Sequence, residues 1–137
     1  GSTWVTDGSL GSPIFAGLDE AKKDLSTRGG HARAMVLLDM LSGVLSSLRM
    51  KAQIERSFVP EDETEKLPSA PVYPFANSCL CAVEGVLPAI RRGFQGAKAR
   101  GDSRARMLAL KLKSRETKEA AVSCARACVR LLFSRCD

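Results

Sequence analysis

The side chains best suited to nucleophilic or metal chemistry are one histidine, His31, and five cysteines, Cys79, Cys81, Cys124, Cys128 and Cys136. A catalytic thiolate needs a base beside it, and His31 is the only imidazole available. Standing where a helical pattern begins, His31 reads as an exposed first-turn residue. The cysteines contain no C-x-x-C pair, so the spacing of a structural zinc site is missing. Their odd number, with three at helical spacing near the C-terminus, suits small apolar core residues in a reducing compartment better than a disulfide framework.

Other chemical motifs fail on their context. Gly93 and Gly96 precede Lys98, but no Ser or Thr follows that lysine and no strand leads in, so no phosphate-cradling loop is expected. Glu84 and Asp39 each stand alone on their helices, whereas a bundle metal site requires carboxylates converging from facing helices. The expectation is a protein that is not an enzyme, with no cofactor and no metal.

Charge points instead to a binding role. The formal net charge is +6, and it is unevenly spread. Residues 1–75 hold eight Lys and Arg against ten Asp and Glu; residues 76–137 hold thirteen against five. The basic half would be drawn to an acidic surface such as nucleic acid, anionic lipid or the tails of tubulin. Arg91, Arg92, Lys98, Arg100, Arg104 and Arg106 are the candidate contacts. Aromatic residues make up only 5% of the chain, and Phe15, Phe75, Phe94 and Phe133 fall on apolar stripes. Few remain for stacking bases, so a basic helical nucleic-acid-binding module is the second reading.

These residues must be carried by helices. At 137 residues the chain fits one domain, able to bury about two thirds of its unfolded surface. Gly1-Ser2 reads as a cloning scar. Asp39 interrupts the best apolar run well short of the ~18 residues of a membrane span, so no membrane partner is expected. Ser12-Pro13 starts a short amphipathic helix, which Gly29-Gly30 would close. The central helix runs from about His31 to Ser57 and is apolar on two stripes. Ala34, Leu38, Leu41, Leu45 and Leu48 form one; Met35, Leu37, Met40 and Val44 form the other. It is expected to be the element everything else packs on, with Gly43 allowing a close approach.

Residues 59–74 are acidic and proline-rich and read as a flexible linker between two hairpin halves. A third helix follows, with Pro88 inside it and a kink near Glu84-Gly85. The run from Gly96 to Arg106 reads as a loop or frayed end, and a last helix covers about Ser103 to Arg135. No segment alternates convincingly enough for a strand. The fold class is all-α, a helical bundle of four to five helices in antiparallel hairpins with a kinked third helix.

Three stretches in order resemble the C-terminal domain of the non-catalytic, β-propeller-containing regulatory subunit of katanin, the microtubule-severing complex. They are Trp4-Val5-Thr6-Asp7, the helix Ala34 to Ser42, and Cys81 to Ile90 with its Val86-Leu87-Pro88-Ala89-Ile90, followed by a helix carrying Ser114, Glu116 and Phe133. The resemblance implies a heterodimerisation domain that binds the N-terminal MIT domain of the catalytic AAA ATPase subunit. It further implies targeting of severing to microtubules and spindle poles, hence a cytoplasmic, cytoskeletal location. Leu37, Met40 and Val44, with part of the last helix, are the expected partner-facing residues, and the basic run is expected to meet microtubules.

Overall fold

The structure is a computed structural model that describes residues 11–57 and 72–133. They form four helices, α1 (Gly11–Lys22), α2 (Arg28–Ser57), α3 (Val72–Arg100) and α4 (Arg104–Leu132), with no strand among the described residues. The chain is an all-α helical bundle. The linker expected at 59–74, apart from its last three residues, and the Trp4 motif lie outside the described residues.

Two antiparallel hairpins make the bundle. In the first, α1 turns through Lys23–Thr27 into α2, where Thr27 Oγ1 accepts the Gly30 N–H at 3.1 Å and so caps the second helix. Gly29 and Gly30 therefore open α2 instead of closing α1. A Cβ on Gly30 would collide with the Asp24 carbonyl, which is why the turn can fold back so tightly.

In the second hairpin α3 extends to Arg100, so most of the expected basic loop is helical and only Gly101, Asp102 and Ser103 connect to α4. Gly101 adopts φ +82°, a backbone region that L side chains avoid. The Asp102 N–H returns to the Ala97 carbonyl, closing α3 in a Schellman-type end. Ser103 Oγ then accepts the Arg106 N–H and starts α4. Helix α3 continues unbroken through Pro88. Glu84, whose carbonyl loses its donor to that proline, is exposed, so water can supply the missing bond.

Viewed down the bundle, α2 lies between α1 and α4, and α3 lies between α4 and α1; the diagonal pair α2 and α3 barely touch. The central helix is thus not the common packing surface. Helix α4 packs along both α2 and α3, because it presents small residues inward: Ala121, Cys124 and Cys128 are all buried. Leucines do the reverse on α2, where Leu38, Leu41 and Leu45 are completely enclosed with Leu18 and Leu25 from the α1 side. Each such side chain contributes about 1.5–3 kcal/mol of burial. Phe15 and Phe75 pack tilted at 50° with ring centroids 6.1 Å apart, joining α1 to α3.

Gly93 lets α3 approach so closely that an added Cβ would meet the Leu25 carbonyl. Gly43, by contrast, faces open space, so the close approach expected there is made elsewhere.

Candidate interaction surfaces and a buried histidine

His31 is fully buried, not the exposed first-turn residue its position suggested. Its Nε2 lies 3.0 Å from the Leu25 carbonyl and its Nδ1 2.7 Å from Thr117 Oγ1 on α4. A carbonyl can only accept, so Nε2 carries the hydrogen; in the neutral ring Nδ1 then accepts from the threonine hydroxyl. Burial pulls the ring's pKa below its ordinary value, opposed by the bond to Leu25, and so favours that neutral form. Thr117, also fully buried, has the Lys113 carbonyl 3.1 Å away as a competing acceptor, but its single hydroxyl hydrogen goes to Nδ1 in this tautomer. With both ring nitrogens occupied in holding the α1–α2 turn to α4, His31 is a structural pin with no free nitrogen for catalysis.

The signal was in the sequence. His31 extends the buried stripe Ala34, Leu38, Leu41, Leu45 and Leu48 by one helical step, and Thr117 sits on the matching α4 stripe with Leu110, Ala121, Cys124, Cys128 and Leu131.

The cysteines divide. Cys79, Cys124 and Cys128 are completely buried and unpaired, as core filler should be, whereas Cys81 is exposed and departs from that expectation; Cys136 lies outside the described residues. The Cys124 thiol is pushed up by its bond to Cys128 and by burial. Cys128 feels an opposing pull from Cys124, but Cys79 and burial prevail and raise it to about 12. Such thiols stay protonated and inert. Among the described residues no group of acidic, cysteine and histidine side chains could hold a metal ion.

The three expected partner-facing residues do not share one environment. Leu37 and Val44 are half-buried against the core, and Leu37 covers Gly17 of α1, where an added Cβ would meet its Cδ1 at 3.2 Å. Met40 is 47% exposed. Around it on α2, Val36 and Ile54 are exposed at helical spacing. A second exposed row runs along α4: Leu108, Leu112, Val122, Val129 and Phe133 follow alternating three- and four-residue steps with Arg115, Glu119 and Arg126 between them. Phe133, which falls on an apolar stripe of the sequence, is thus exposed, because an apolar stripe does not say what covers it.

Most of the basic residues gather at the end of the bundle where α1 turns into α2 and α3 into α4. Arg100 forks onto Asp102 at 2.7 and 2.8 Å and also reaches the Ser26 carbonyl and hydroxyl, which ties the two hairpin turns together. The Arg100 bond holds the Asp102 carboxyl below its usual range. Beside this clamp lies a cleft of about 540 Å³ lined by Arg28, Arg106 and the paired Arg100 and Asp102. Arg28 comes from the acidic half of the chain and joins the basic cluster only through folding. Lys98 and Arg104 are exposed near it; Arg91 and Arg92 are exposed further along α3, about 10 Å from Lys98 at helical rise.

Compared with protein-family profiles, curated proteins and solved structures, the chain matches none. Among the described residues no helix is long and apolar enough to cross a membrane.

Proposed function

We propose that the chain is a non-catalytic interaction domain that pairs with the MIT domain of the katanin ATPase subunit and helps bring severing to microtubules. The observation that carries this reading is the exposed apolar row of α4, where Leu108 and Phe133 are each 60% exposed. Exposed apolar residues spread along one helical face, with Arg115, Glu119 and Arg126 among them, offer a second helix a surface to pack on, and the MIT domain is itself helical. Two elements of the katanin resemblance carry buried stripes in this bundle: Ala34, Leu38 and Leu41 in one, Val86 and Ala89 in the other. The cleft of Arg28, Arg100 and Arg106 offers a positive surface for acidic tubulin tails. Among the described residues no aromatic side chain lines that cleft, which favours an acidic protein surface over stacked bases.

A pull-down of the purified MIT domain tests the reading. Retention that is lost in a Leu112→Asp, Val122→Asp double variant supports it; no retention by the unaltered chain removes it. Microtubule pelleting should weaken when Arg104 and Arg106 become glutamate and should fall with added salt.

A further inference from the structure

Between α2 and α4, toward the end where both helices finish, the surface opens into a groove of about 350 Å³. It exists because the two helices meet there through small residues: Ser42 and Ser46 on α2, Ser123 and Ala127 on α4. Larger apolar side chains at those positions would have closed it.

The charge in the groove is of one sign. Arg49 and Arg130 line it from opposite walls, and among the described residues no carboxylate does. Arg49 Nε is sealed from solvent and has no acceptor, and neither arginine forms an ion pair with a described residue. Ser42 Oγ is likewise buried, against the Cys124 thiol. A carboxylate from outside could pair with the guanidinium groups of Arg49 and Arg130, which no described acid neutralises.

The structure assigns this groove to an acidic peptide of a partner protein, with carboxylates taken by Arg49 and Arg130. From Ser42 to Gln53 the α2 wall rises about 16 Å, the span of about five extended residues. The hydroxyls of Ser46 and Ser123 and the amide of Gln53 lie along that length, where they can bond peptide groups to either side of the two facing arginines. A compact anion would engage one end and leave these groups unused. The groove lies apart from the Arg28–Arg106 cleft, and its occupancy does not depend on the heterodimer reading.

Fluorescence anisotropy of a labelled pentaglutamate with the whole chain tests it. Binding is expected, with Arg49→Gln and Arg130→Gln each weakening it about tenfold and Lys111→Gln, exposed elsewhere on α4, leaving it unchanged. Full affinity in both groove variants, or equal binding of pentaglutamine, would overturn the assignment. So would displacement by inorganic phosphate at matched concentration. Binding seen only after Glu61, Asp62, Glu63 and Glu65 are changed to glutamine would replace the partner peptide with this chain's own acidic segment.

Discussion

His31 Nδ1 lies 2.7 Å from Thr117 Oγ1, a bond that joins residues 86 positions apart and fastens the first hairpin to the last helix. Replacing Thr117 with valine keeps the shape but leaves a buried ring nitrogen without its donor, at a cost of about 1–3 kcal/mol. Urea unfolding followed by circular dichroism reads that loss directly, and Thr117→Ser should recover most of it.

The same histidine sets a pH dependence. Its folded pKa lies below the ordinary 6.5, so the unfolded chain takes up the proton first as the pH drops. His31 therefore contributes its full stability above about pH 6.5 and loses it as the pH falls from there toward the folded value. Unfolding free energies measured between pH 7.5 and 5 should decline in the unaltered chain and decline less in His31→Gln.

Two glycines should respond in opposite directions to alanine. At Gly93 the new methyl would meet the Leu25 carbonyl, so α3 must move off the α1–α2 turn and the melting temperature should fall. At Gly43 nothing lies within 4 Å, and alanine should add about 1 kcal/mol of helix propensity. A single thermal melt of each variant decides both.

Aspartate substitutions should separate core from surface. Leu37→Asp and Val44→Asp place a charge in half-buried packing and should unfold the bundle or lower its melting point steeply. Met40→Asp and Leu112→Asp replace exposed side chains and should leave the helical circular dichroism spectrum intact. If Met40→Asp alone abolished the helical signal, its exposure in this fold would be wrong.

Thiol labelling offers a further check on the core. Cys81 is exposed and should react at once with a thiol reagent, while Cys79, Cys124 and Cys128 should react only on unfolding. Peptide mass spectrometry of the labelled chain identifies each site.

Much of the fold was legible along the chain. Leucines at three- and four-residue steps can be buried together only on a helix, and the breaks at Ser12-Pro13 and after Ser57 fall at helix ends, whereas Gly29-Gly30 opens α2 and the expected loop from Gly96 is helical as far as Arg100. The buried stripe of α2 was legible too, from Ala34 through Leu48.

What periodicity leaves open is which of two apolar stripes faces inward, since it defines a helix's faces without naming their neighbours. Leu37 and Met40 belong to one sequence stripe yet end in different surroundings, because α1 covers the first and nothing described covers the second. His31 became a core residue only when Thr117 and the Leu25 carbonyl arrived to satisfy both ring nitrogens. Local spacing determined that this protein is a set of amphipathic helices. Contacts between residues far apart in the chain decided which side chains pin the bundle, where Arg28 meets Arg106, and which arginines line a groove. Those outcomes depend on how two hairpins dock, and no short window of sequence contains both sides of that contact.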